Sequence, residues 1–159
     1  MPDSQLLREI RQTKPFRSQS QEAALSVMRT AHLIQRNYSR IVEPHGLTIQ
    51  QYNVLRILRG AGESGLPTLE IGERMIEQTP GITRLLDRLE TKGLVARERC
   101  PEDRRRVTCR ITRTGLALLA KLDDHMNRSD GIFDADISPA DLKRLVELLD
   151  RMRKVLESM

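Results

Sequence analysis

Tryptophan is absent from this 159-residue chain, and its only aromatic rings are Phe16, Tyr38, Tyr52 and Phe133. A core with so few rings must be built from Leu, Ile, Val and Met, which suits helices and argues against a β-sandwich or barrel. The shortage also argues against a single-strand-binding surface, where bases stack on aromatic faces. Cysteine is scarce as well, because Cys100 and Cys109 are too few to staple a secreted domain. No apolar run approaches the roughly 20 residues that would span a membrane. The N-terminus MPDSQLLREIRQTKPFRSQSQ lacks the apolar stretch of a signal peptide. These absences predict a soluble, cytoplasmic protein of one domain, or of one domain with a dimerisation arm. His32, His45 and His125 show no ligand spacing, so neither metal nor cofactor is expected. No G-x-S-x-G, P-loop, H-E-x-x-H or Rossmann glycine pattern occurs, which argues against an enzyme.

Charge, by contrast, is plentiful and unevenly spread. Residues 79–113 hold ten basic and five acidic side chains, which accounts for the entire formal surplus of +5. All the basic ones except Lys92 are arginine, whose planar fork suits phosphates and guanine edges. The segment leans toward nucleic acid.

Periodicity organises the rest. Residues 1–19 read as a mobile arm with a short helix at Leu6–Ile10. From Ser20 to Val42, Ala24, Val27, Met28, Ala31, Ile34 and Tyr38 recur in steps of three and four, one stripe of an amphipathic helix that Pro44 and Gly46 end. Thr48 and Gln51 form a T-x-x-Q capping box, with Leu47 and Tyr52 placed as a hydrophobic staple. Tyr52, Leu55 and Leu58 then face inward. Thr68 is expected to cap a short helix ending near Met75, and Thr79-Pro80 reads as an N-cap followed by proline at the first helical position. In that next helix Ile82, Leu85, Leu86 and Leu89 make one apolar stripe, opposite Thr83, Arg84, Asp87, Arg88 and Thr91, and Gly93 stops it. Leu94–Cys100 and Arg106–Thr112 form a β-hairpin, with Val107, Cys109 and Ile111 alternating inward. Leu116, Leu119, Leu122 and Met126 mark a further helix that Asp130-Gly131 breaks. Ser138 to Asp141 is a capping box for the last one, where Leu142, Leu145, Leu149, Met152, Leu156 and Met159 follow a coiled-coil spacing.

The predicted fold is mainly α with a small β-hairpin wing. It has a winged helix-turn-helix core over residues 46–113, with helical dimerisation regions at 20–45 and 114–159. The helix from Thr79 needs an apolar face to sit on the protein and a polar face to enter a major groove roughly 12 Å wide. The alternative for any one of its arginines is a solvated pair with Asp87 or Glu90. That alternative leaves the adjoining Arg-rich hairpin unexplained.

The stretch TPGITRLLDRLETKGLVARERCPEDRRRVTCRITRTG resembles the recognition helix and wing of MarR-family transcriptional regulators. Asp103-Arg104-Arg105 at the wing tip, followed by Ile111-Thr112 and Gly115, is its most specific part, and the order of elements, with HGLT before the second helix, fits the whole chain. The resemblance implies a homodimer with interlocked terminal helices, acting on double-stranded DNA at a pseudo-palindromic operator as a ligand-relieved repressor. By position, Thr79, Pro80, Gly81, Thr83 and Arg84 begin the reading helix, with Arg84 and Arg88 as its principal contacts. Arg105 matches the wing arginine that enters the minor groove and Asp103 the acid that orients it, although turn formation alone accounts for Asp103 nearly as well; Arg104 and Arg106 flank Arg105 as phosphate contacts or as solvated charge. The family often binds aromatic acids near the dimer helices, so a small aromatic or phenolic effector could meet His32, Arg36, Tyr38 and Tyr52, although both tyrosines also fit the core. Two alternatives remain at this point. One is a redox-responsive regulator, with Arg99 and Arg110 lowering the pKa of Cys100 or Cys109. The other is a protein-interaction adaptor that uses its winged helix.

Overall fold

The computed structural model describes residues 4–78, 80–103 and 106–159. A short helix α1 (Gln5–Glu9) buries Leu6, and its Glu9 carboxylate lies 3.5 Å from Arg29 Nε. Part of the predicted arm is therefore helical and ion-paired to the next element. That element, α2 (Gln19–Val42), starts where the Ser18 hydroxyl accepts the Gln21 amide, and it passes into a 3-10 turn over Glu43–His45. The turn closes on Gly46 at φ 73°. Helix α3 (Ile49–Ala61) opens with the expected capping box, both halves being made between Thr48 and Gln51 at 3.2 Å.

The next stretch departs from expectation. Leu66–Pro67 forms a two-residue strand β1, and α4 (Thr68–Arg74) begins immediately after it. Pro67 thus takes the N-cap position and Thr68 is already helical, so Thr68 does not cap. Its hydroxyl lies 3.8 Å from the Cys109 sulfur instead. Helix α5 spans Ile82–Thr91, starting after Gly81 and not at Pro80. Gly81 has φ 131°, a conformation that cannot continue a right-handed helix backwards. Thr79, the expected cap, lies outside the described residues.

The far end of α5 is a Schellman turn. The Gly93 amide donates to Glu90 O at 2.8 Å and the Leu94 amide to Leu89 O at 3.0 Å, with Gly93 at φ 70°. Strands β2 (Val95–Arg99) and β3 (Val107–Ile111) follow, and the antiparallel sheet has the order β1-β3-β2. Leu66 pairs with Cys109 on one side of β3, and Arg97 pairs with Cys109 on the other. Leu55, Leu58, Ile71, Leu86, Leu89, Val95 and Cys109 are fully buried where α3, α4 and α5 meet this sheet. Burying each leucine contributes roughly 1.5–3 kcal/mol.

Helix α6 (Arg113–Asp130) crosses the boundary between two compact units, Met1–Leu119 and Ala120–Met159. In the second unit Leu122 and Met126 are buried, and Gly131–Phe133 form a 3-10 turn. Ser138 caps α7 (Pro139–Glu157) by accepting the Asp141 amide at 3.2 Å. The Asp141 carboxylate accepts the Ser138 hydroxyl at 2.7 Å, where a capping box would have it accept the backbone amide. No residue of α7 is buried. Among the described residues no helix is long and apolar enough to cross a membrane.

Candidate nucleic-acid interface

Helix α5 divides its faces as its sequence requires. Leu86 and Leu89 are fully buried and Ile82 and Leu85 half-buried, while Thr83, Arg84, Asp87 and Arg88 are exposed. Among the described residues no side chain caps its first amides, and Pro80 and Gly81 lie at the positive end of its dipole.

The acids of this helix are not left to oppose an anion. Arg97, on β2, places Nη2 2.6 Å from Asp87 Oδ1 and 2.5 Å from Glu90 Oε2, and its Nε donates to the same Glu90 oxygen at 2.9 Å. The Glu90 hydrogen bond, aided by Asp87 and opposed by partial desolvation, holds the Arg97 guanidinium above its ordinary pKa. Asp87 and Glu90 therefore pair with the hairpin, and the arginines of α5 itself are released. Arg84 and Arg88 make no ion pair with any described residue.

Other members of the basic segment are occupied internally. Arg110 ion-pairs with Glu98 at 2.5 Å and donates to Glu63 O at 2.6 Å. Lys92 bonds to Gly46 O and Gln51. Arg99, Arg106 and Arg113 join Arg84 and Arg88 in having no ion-pair partner among the described residues. The hairpin is closed by Cys100 N donating to Arg106 O and Arg106 N donating to Asp103 O, both at 2.9 Å. Arg106 and Asp103 are exposed on this turn. Arg104 and Arg105 lie outside the described residues, as does any contact of Asp103 with them.

His32 and Arg36 line a groove of about 590 Å³, together with Ser39 and Arg40 of α2, Glu43 of the 3-10 turn and residues 48–50 at the start of α3. Tyr38 and Tyr52 do not line it. Tyr52 is 6% exposed in the core, with the Arg56 guanidinium 5.9 Å from its ring centre, and Tyr38 is half-buried. Arg40 was not singled out from the sequence, although its spacing from His32 and Arg36 (i, i+4, i+8) places all three on one helix face.

Cys109 is buried, and burial pushes its thiol pKa up, with Thr68 and Arg97 only partly opposing. The expected lowering by Arg110 is absent because that guanidinium is directed at Glu98 and Glu63. Cys100 bonds opposite Arg106, three residues along β3 from Cys109. That spacing amounts to about 10 Å of strand, beyond the roughly 7 Å Cα separation a disulfide tolerates. Cys109 is therefore not set up as a redox switch, and the two thiols are too far apart to bridge. Among the described residues, no three His, Cys, Asp or Glu side chains cluster as metal ligands.

The model of the MarR family matches residues 47–107. The chain is 30% identical to the HTH-type transcriptional regulator MhqR of Bacillus subtilis, over 70% of this chain and 75% of that one. It is 28% identical to the homoprotocatechuate degradative operon repressor of Escherichia coli, over 83% of this chain and 81% of the relative. Among solved structures it is similar to a MarR transcription factor from Planctomyces limnophilus, with a TM-score of 0.66 and 37% identity, covering 86% of this chain and 98% of the other.

Proposed function

The chain belongs to the MarR family of winged-helix transcriptional regulators, and from that premise we propose that it binds a specific DNA operator as a homodimer. One observation carries this reading. Arg97 withdraws the two acids of α5 into the hairpin, so the helix presents Arg84 and Arg88 without internal competition. An exposed cationic face near the positive end of a helix fits a major groove, where arginine forks match guanine edges. Pro80, Gly81 and Thr83 lead that face into the groove, with Thr79 before them. The hairpin follows the adjoining backbone: Arg106 takes a phosphate, and Arg104 and Arg105 extend the wing, with Asp103 orienting Arg105 in the minor groove. No catalysis enters this reading.

Dimerisation is supported by apolar surface that the single chain leaves uncovered, including Met28 on α2 at 67% exposure and Leu156 on α7 at 67%. The groove of His32, Arg36 and Arg40 supports a small anionic effector, with the homoprotocatechuate repressor among its relatives pointing to an aromatic acid. Release from the operator on binding such an acid makes the protein a repressor.

Selection of bound sequences from random duplex DNA at about 150 mM salt tests the reading. Enrichment of a pseudo-palindrome with half-sites about one helical turn apart is expected. Arg84→Ala should then cost about 1–3 kcal/mol on that operator and relax its sequence preference, while Arg106→Ala weakens all duplexes alike. Recovery of no motif, with only weak and steeply salt-dependent binding, rejects it.

A further inference from the structure

One cation of the basic segment turns inward. Lys92 is the C-cap of α5, held in place by the Schellman turn through Gly93. Its ammonium donates to the carbonyl oxygen of Gly46, at the corner between α2 and α3, and to Gln51 Oε1 at 3.1 Å. Gln51 is 2% exposed, the only polar side chain in the buried core among the described residues. The same Oε1 accepts the Thr48 amide at 3.2 Å. An amide oxygen has two lone pairs, and these two donors use both. A single buried oxygen thus joins the N-cap of α3 to the C-cap of α5.

The partners of Lys92 are neutral, so the contact fixes a position without cancelling a charge. Bonds from an ionised donor are roughly twice as strong as neutral ones, and a cation is favoured at the negative end of a helix. Thr48, at the other end of this relay, is also part of the wall of the cationic groove. The groove and the reading helix therefore share one hydrogen-bonded junction.

We propose that Lys92 is a positioning residue for DNA reading: it pins the carboxyl end of α5 to the α2–α3 corner and, through Gln51, ties the setting of the reading face to the groove wall. The inference rests on the DNA-binding reading above. A ligand that draws on the Thr48 end of α3 displaces one of the two oxygens that hold Lys92, and the anchor of α5 weakens at that end.

The test compares wild type, Lys92→Met, Gln51→Glu, Gln51→Leu and the Lys92→Met/Gln51→Leu double variant. Each is titrated with the selected operator and with random duplex across a range of salt, and each is melted by circular dichroism. Lys92→Met is expected to weaken operator binding about tenfold, within the usual range of coupling through a shared network, and random-duplex binding less than twofold. The slope of log affinity against log salt should stay that of wild type, because Lys92 meets no phosphate. Gln51→Glu keeps both acceptor roles and should read the operator as wild type does. Gln51→Leu should lose part of what Lys92→Met loses, because the bond to Gly46 O remains, with the double variant losing no more than Lys92→Met. Should Gln51→Leu unfold, Lys92→Met and Gln51→Glu still decide. Unchanged operator binding by Lys92→Met overturns the proposal. Equal loss on both duplexes with a salt slope shallower by about one unit also overturns it, since Lys92 is then a phosphate contact. Failure of the wild type to select any operator removes the DNA-binding reading itself.

Discussion

At the scale of single residues, the two cysteines show how environment decides chemistry. Both sit beside arginines in the sequence, which suggests activated thiols, yet Cys109 faces the core between β1 and β2. Iodoacetamide at neutral pH should therefore label the half-exposed Cys100 in the native protein and reach Cys109 only in denaturant, as peptide mass mapping would reveal. The direction of the Cys109 shift also sets a pH dependence. Its thiolate forms more readily in the unfolded chain, so the stability it lends is intact below about pH 8.5 and is lost as pH rises through its raised folded value. The sequence showed which arginines are present but not which are engaged. Asp87 and Glu90 meet Arg97 only because a turn folds β2 back along α5, and no spacing rule along one helix specifies that pair.

Secondary-structure elements were legible in most places where local rules act alone, the Ser138–Asp141 box and the start of α5 excepted. The Thr48–Gln51 box, the Gly93 stop and the apolar stripe of α5 each depend on residues within a few positions of one another, and all formed as read. Strand β1 was not legible. Two residues offer no alternation, one of them is a proline without an amide donor, and the strand exists only through pairing with Thr108 and Cys109 far along the chain. The misplaced Thr68 cap follows from that omission, because an extended Pro67 brings the helix start forward. Packing between elements has its own tight point at Gly115. A Cβ there would lie 2.5 Å from Leu94 O and 2.7 Å from Ile111 Cγ1. Gly115→Ala is expected to destabilise the protein by about 1–3 kcal/mol, lowering the melting temperature by several degrees in calorimetry. Gly60→Ala on α3, where no atom lies within 4 Å, should leave the melting temperature unchanged or raise it.

On the scale of the whole molecule, the coiled-coil spacing of α7 is present but only partly covered in the single chain, with Leu145 at 46% and Leu156 at 67% exposure. A stripe this apolar calls for a second copy. Leu145→Glu with Leu156→Glu should shift sedimentation from dimer to monomer and weaken operator binding at least as much as loss of one half-site, with the helical signal of the winged unit preserved. The winged unit itself behaves differently from this seam, because Arg97 bridges α5 to β2 within one protomer. Groove reading and wing contact are therefore carried on a single stiff part. A regulatory signal cannot easily teach that part to prefer other bases; what it can change is how the part is seated, at the α2–α3 corner through Lys92 and across a gap between two copies. Two copies joined as proposed would form a caliper, whose jaws keep their profile while their opening is adjusted, and an effector is expected to show itself first in which half-site spacings are tolerated.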